Sequence, residues 1–188
     1  MERWRAILDF WFGPGSGPGL WFGADPATDR EIRRRFSGDL ADARTGALAT
    51  WESSPESTAA LVVLLDQFSL QLHRRQRQGY EGSAMALAVA ERAIAKGFDR
   101  RLPCAQRGFL YMPFMHAEDP LLQEQSVALF SRLAEESRDP LAGNGFLKSA
   151  VQHRDVLRRF GRFPGRNQAY GRTDTAEERL YLDRGGHF

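Results

Sequence analysis

Along most of the chain apolar residues recur three and four positions apart, the spacing that gathers side chains on one face of an α-helix, and no stretch suggests a pair of strands. The spacing predicts a first helix over about residues 3–12, stopped by Gly13 and followed by a Gly- and Pro-rich loop through Gly19. Thr28 with Glu31 has the form of a capping box, after which Ile32, Phe36, Leu40 and Ala43 line one face of a helix ending near Gly46. Ser54 and Pro55 open another helix. Its first half, Ala59 to Leu65, is apolar nearly all round, the mark of a helix buried on every side. The pattern carries it to about Gln78, with Arg74, Arg75 and Arg77 where the helix dipole favours cations and Gly79 available to close it.

Ser83 to Lys96 is an alanine-rich helix closed by Gly97, and its small side chains permit a close neighbour. Pro103 begins a helix through Met115, with Pro113 expected to kink or end it. Asp119 and Pro120 have the character of an N-cap and first position, followed by Leu122, Leu129, Phe130 and Leu133 at core spacing. Residues 137–145, with glycines at 143 and 145, are expected to form a loop. Phe146, Ala150, His153, Leu157 and Phe160 then fall on one helical face ending at Gly161, and Thr175 with Glu178 forms a capping box for a last short helix. The expected class is all-α, antiparallel helix hairpins with short connections in one domain over residues 1–188.

Composition narrows the setting. A chain of 188 residues, 42% hydrophobic and 27% charged, can bury a core of its own. Lys plus Arg number 26 against 24 Asp plus Glu, a net charge of +2, so no field strong enough to imply nucleic acid surrounds it. The one cysteine, Cys104, excludes an intramolecular disulfide and any CxxC arrangement. The longest strongly apolar run, Ala59 to Leu65, is too short to span a membrane, and the charged first twelve residues do not form a signal peptide. Cytoplasm is the expected location.

Several polar residues stand out against this background. Asp66 shares a helical face with Ala59, Val62 and Val63, so the pattern places a carboxylate next to the core, where it needs a donor. Either a structural tie or a ligand site would meet that need, and Arg162 or Arg166 is the expected partner. His116, Glu118 and Asp119 sit together at the end of a helix, a setting for acid–base or metal chemistry, although Asp119 is equally explained as a cap and Glu118 as a favourable charge at a helix start. His153 lies on an apolar face, where a satisfied core histidine is the commoner outcome, and Asp155 points away from it. Arg158, Arg159, Arg162, Arg166 and Asn167 could present guanidinium forks to a carboxylate or phosphate, or form a solvated face. No HExxH, Walker A loop, dinucleotide fingerprint or GxSxG elbow is present, and His153-Arg154-Asp155 lacks the rest of a kinase signature. No cofactor is implied.

The strings LLDQF (64–68), YMPFMHAED (111–119) with QEQSVALF after it, and HRDVLRRFGRFPGRN (153–167), together with ILDFWFG and WFGAD near the start, resemble the bacterial family called domain of unknown function 924 over nearly the whole chain. The resemblance implies a tetratricopeptide-like fold, helix hairpins stacked in a right-handed superhelix with a concave face. It implies no settled activity. After LDQF the family usually continues Pro, Arg, Asn, whereas Ser69, Leu70 and Gln71 follow here, and Ser83 stands where the family carries an aspartate. If those polar residues form the family's site, it is altered in this chain.

The leading expectation is a binding module that holds an anionic small molecule or peptide terminus through Arg162, Arg166 and Asn167, with Asp66 and His116 nearby. The alternatives are a small enzyme, metal-dependent or not, using His116, Glu118, Asp119 and His153, and a structural interaction protein with a decayed site. The 116–119 segment and the arginines of FGRFPGRN are expected to converge. Counting Arg158, Arg159, Arg162 and Arg166 against two acids gives a surplus of positive charge, which favours an anion over a metal cation.

Overall fold

The computed structural model describes residues 2–137, 140–186 and 188, and every described element of regular structure is helical. The chain divides into two compact units, Met1–Arg74 with Gln78–Pro113, and Arg75–Arg77 with Phe114–Phe188.

The first unit holds α1 (Arg3–Phe12), α2 (Pro18–Phe22), α3 (Pro26–Arg44), α4 (Pro55–Val62), a π-helical turn (Val63–Phe68), α5 (Ser69–Leu72), α6 (Ser83–Ala95) and most of α7 (Cys104–Met115). The apolar character of residues 59–65 has its expected result: Ala59 through Phe68 are all buried, with α1 and α6 packed on α4 and α3 on the π turn. Trp11 and Phe36 meet Phe68 with ring centroids 5.3 and 5.2 Å away, within the range where offset and edge contacts add to area burial. Alanine-rich α6 does lie against α4, as its small side chains permit.

Local signals were overruled at three places in this unit. Helix α3 begins two residues before Thr28, because Asp25 caps it by accepting from the Ala27 and Thr28 amides, with Pro26 at the first position. Thr28 is therefore inside the helix, its hydroxyl donating to Asp25. The Gly/Pro loop ends at Gly17 rather than Gly19, since Pro18 starts the short α2 and Trp21 Nε1 donates to the Trp11 carbonyl. The central helix stops at Leu72, not Gln78. Arg74 leaves the helix axis to pair with Asp29 and the Gly23 carbonyl, and Arg75 takes a left-handed φ of 56°.

In the second unit α8 (Pro120–Glu136) and α9 (Pro140–Phe160) pack together as a hairpin, followed by α10 (Asn167–Tyr170) and α11 (Ala176–Asp183). Asp119 caps α8 through the Leu121 and Leu122 amides, as expected. Leu122 is only half-buried, and Gln123 takes the inner position instead. Its Nε2 donates to the carbonyls of Met115 (2.7 Å) and Ala117 (2.8 Å), supplying donors to acceptors at and just beyond the end of α7 that the helix itself leaves unpaired.

The loop expected over residues 137–145 is largely helix. Within it residues 138 and 139 lie outside the described residues, but α9 begins at Pro140 and runs through both glycines. Gly143 is a packing residue: a Cβ there would sit 2.9 Å from Ala134 Cα on α8. We expect Gly143→Ala to destabilise by about 1–2 kcal/mol in urea unfolding, because the obstructing atom is backbone and overpacking outweighs the roughly 1 kcal/mol gained in helix propensity. A variant as stable as the parent would show that the two helices separate at little cost.

No helix among the described residues is long and apolar enough to cross a membrane.

Candidate functional site

The second unit brings residues 116–118 onto the FGRFPGRN segment. Helix α7 ends at Met115 and the Asp119 cap starts α8, so Glu118 projects from a short connector held at both ends. Glu118 Oε1 accepts from the Phe163 amide (2.8 Å) and from Arg172 Nη1 (2.9 Å), while Oε2 accepts from Arg172 Nη2 (2.6 Å). Burial alone would raise its pKa. The hydrogen bonds from Arg172 and Phe163 and the charges of Arg172 and Arg166 outweigh that and hold the carboxyl below the ordinary range.

Glu118 thus clamps one chain segment to another, and Asp119 Oδ1 serves the helix cap. Among the described residues no group of three or more His, Cys, Asp or Glu side chains is placed to hold a metal ion.

His116 and His153, separated by most of the α8–α9 hairpin, have ring centroids 5.8 Å apart. His153 is buried, with Nδ1 2.8 Å from the Ser149 carbonyl. A carbonyl only accepts, so Nδ1 carries a proton. The ring stands edge-on to Phe163 at 5.5 Å and lies 3.8 Å from the ring of Phe188. Arg166 lies over the Phe163 ring, its Cζ 4.5 Å from the centroid. Asp155 is exposed and bound to Arg154, apart from His153 as expected.

The arginines correct the expected charge surplus. Arg158 meets Glu124 at 2.7 Å and Arg159 meets Glu177 at 2.7 Å. Arg162 grips Glu178 through Nε (2.6 Å) and Nη2 (2.7 Å) and donates to the Thr173 carbonyl (2.9 Å). Glu178 also carries the expected capping box, receiving the Thr175 amide at 2.7 Å while Thr175 Oγ1 accepts the Glu178 amide. The Arg162 hydrogen bonds, helped by Thr175 against the cost of burial, bring the Glu178 pKa down to about 2. The count of four arginines against two acids omitted Glu124, Glu177 and Glu178, which come from other helices. Asn167 is buried and ties its own loop, donating to Asp174 at 2.8 Å.

The sequence reading missed Arg172 and Phe188. Arg172 stands 54 residues from Glu118, so no spacing rule links them.

In the first unit Asp66 is 1% exposed and accepts from Gln67 Nε2 at 2.5 Å inside the π turn, a helix form often found at functional sites. Ser69 and Gln71, two of the residues expected to depart from the family pattern, are wired into the fold. Ser69 Oγ accepts from Arg44 Nη2 (2.7 Å) and donates to the Gly79 carbonyl (2.9 Å). Gln71 Nε2 donates to the Leu20 and Trp21 carbonyls, and Ser83 is the first residue of α6.

One buried polar cluster carried no sequence signal. The Tyr111 hydroxyl donates to Asp99 (2.6 Å) and accepts from Arg107 Nε (2.7 Å). Burial, with the Asp99 bond, pushes its pKa up to about 12, so it stays a neutral donor tying α7 to the turn before it.

No functionally curated protein matches the chain by sequence. Among solved structures it is similar to that of a protein of unknown function, ATU0120 from Agrobacterium tumefaciens, with 37% identity, 97% of each chain covered and a TM-score of 0.88. Residues 7–186 match the family described as bacterial protein of unknown function (DUF924), and the chain therefore belongs to that family.

Proposed function

We propose that the protein is a helical binding module whose second unit holds an anionic small molecule or peptide group beside Phe163. The observation carrying this reading is the gathering of positively charged or chargeable groups around that one ring from three separate segments. Arg166 lies on the Phe163 face, His153 stands at its edge, and His116 adjoins His153. Arg162 and Asn167 take supporting roles in this reading, fixing the turn through Glu178 and Asp174. The tetratricopeptide-like stacking of hairpins belongs to the same proposal, supported by the α8–α9 pair and by the family resemblance.

Phosphate at roughly ten times its dissociation constant is expected to raise the melting temperature by about 3–5 °C, the equivalent of about 1.4 kcal/mol of linkage. Phosphate also stabilises proteins generically by exclusion from their surface, so the deciding comparison is Arg166→Ala, in which the saturable part of the shift should vanish. An equal shift in that variant would sink the reading. A shift given by divalent metal and not by phosphate would transfer support to the enzyme alternative.

A further inference from the structure

Phe188 is the last residue of the sequence, and it is seated on the candidate site. Its ring lies 3.8 Å from the ring of His153, inclined by 38°, and its main-chain oxygen accepts from the Gly165 amide at 2.5 Å. His153 in turn meets Phe163. The contact therefore has two parts, each with its own chemistry: an aromatic slot at the ring of His153, which Phe163 backs edge-on, and a main-chain donor on the turn Pro164–Arg166. A phenylalanine residue satisfies both at once.

Neither part is accidental in origin. The Gly165 amide is held in place because its turn is anchored from both sides. Glu118 takes the Phe163 amide, and the Arg172 amide bonds to the Asn167 carbonyl at 2.8 Å. The His153 ring is fixed by its Nδ1 bond to Ser149. Slot and donor are thus rigid relative to one another, the preorganisation that lowers the entropic cost of binding a small group.

We propose that this is a recognition site for a phenyl ring joined to a main-chain oxygen, as in a phenylalanine residue or an aryl amino acid, and that Phe188 is its internal occupant. The chain thereby competes with outside ligands for its own site. This rests on the reading of the second unit as a binding module, and it names the ligand class and the regulation of that site. Being tethered, Phe188 acts at a high effective concentration, so an external ligand reaches only the fraction of molecules in which the residue has swung away.

The test is titration with the uncharged N-acetyl-L-phenylalanine methylamide, with N-acetyl-L-alanine methylamide as the ringless control, followed through the imidazole Cε1–H resonances of His116 and His153. In Phe188→Ala the His153 resonance should move, because the ring current of a neighbour 3.8 Å away is removed, and saturation with the aromatic probe should return it towards its parental position. If Phe188 is seated about nine-tenths of the time, the variant binds the probe about tenfold more tightly than the parent. The alanine probe should leave both proteins unchanged, and Phe163→Ala in the Phe188→Ala background, which removes the ring that backs His153, should weaken the response to the aromatic probe. Phe188→Leu, which keeps apolar bulk but removes the ring current and the aromatic contact, provides the same spectroscopic comparison should Phe188→Ala lose helix content.

The proposal is overturned if the His153 resonance is indifferent to residue 188, or if parent and variant bind the aromatic probe equally. Its failure is separable from that of the anion reading. A saturable, Arg166-dependent phosphate shift without aromatic binding leaves the anion site standing and removes the internal occupant. Aromatic binding that survives Arg166→Ala, with no phosphate shift, does the reverse.

Discussion

Glu178→Ala is expected to destabilise the protein by about 3 kcal/mol, since it leaves the Arg162 guanidinium without its carboxylate and the start of α11 without half of its capping box. Glu178 is 2% exposed and receives Nε and Nη2 of Arg162 and the Thr175 amide. The loss should be visible in urea unfolding near neutral pH as a lower midpoint with an unchanged slope. The same carboxylate predicts a dependence on acid. Its folded pKa of about 2 lies below the ordinary 4.5, so its stabilisation is fully present above about pH 4.5 and disappears as pH falls through about 2. Unscreened, that interval corresponds to about 3 kcal/mol. Arg162 is 29% exposed, and screening through it brings the pH-dependent part to about 1–2 kcal/mol. Glu178→Gln should therefore narrow its stability gap to the parent as pH is lowered from about 5 to about 2. A constant gap would mean that the carboxylate acts through shape alone.

Asp66→Ala is expected to cost more, about 3–5 kcal/mol, which in a chain of this length lowers the melting temperature by about 10 °C. Asp66 is 1% exposed, and its position in the π turn places it within the most completely buried stretch of the molecule. Removing its side chain leaves Gln67 Nε2, which donates to it at 2.5 Å, and opens a cavity among apolar neighbours. Asp66→Asn retains an acceptor of the same shape and should recover part of the loss. A parent-like melting temperature for Asp66→Ala would show that the buried carboxylate contributes nothing to folding, and its value would then have to be sought in ligand binding.

The two residues also mark how far the sequence could be read. Asp66 was recognised as a carboxylate next to the core because helical phase alone sets which face a residue occupies, and the burial of residues 59–68 follows from the same periodicity. The Asp119 cap, the Thr175–Glu178 box and the helix starting at Ser83 were equally legible, being decided by atoms three or four residues apart. His116, Glu118 and Asp119 were expected to converge with the arginines of FGRFPGRN because both segments lie at helix ends; Glu118 bonds to the Phe163 amide of that segment, while Asp119 serves the α8 cap.

What the sequence by itself determined is therefore the helical class, most helix positions and several caps, all set by interactions within one or two turns. Tertiary structure decided the rest. Asp25 displaced Thr28 as a cap, and Arg74 was drawn from its helix end to Asp29, 45 residues away. The glycine at 143 reads as a loop residue until Ala134 is placed against it. The charge of the candidate site was misjudged for the same reason: Arg158, Arg159 and Arg162 find Glu124, Glu177 and Glu178 at separations of 16 to 34 residues. Periodicity reports which face a side chain occupies, but the partner it meets there depends on which helices pack together, and that is fixed by the whole core rather than by any local stretch.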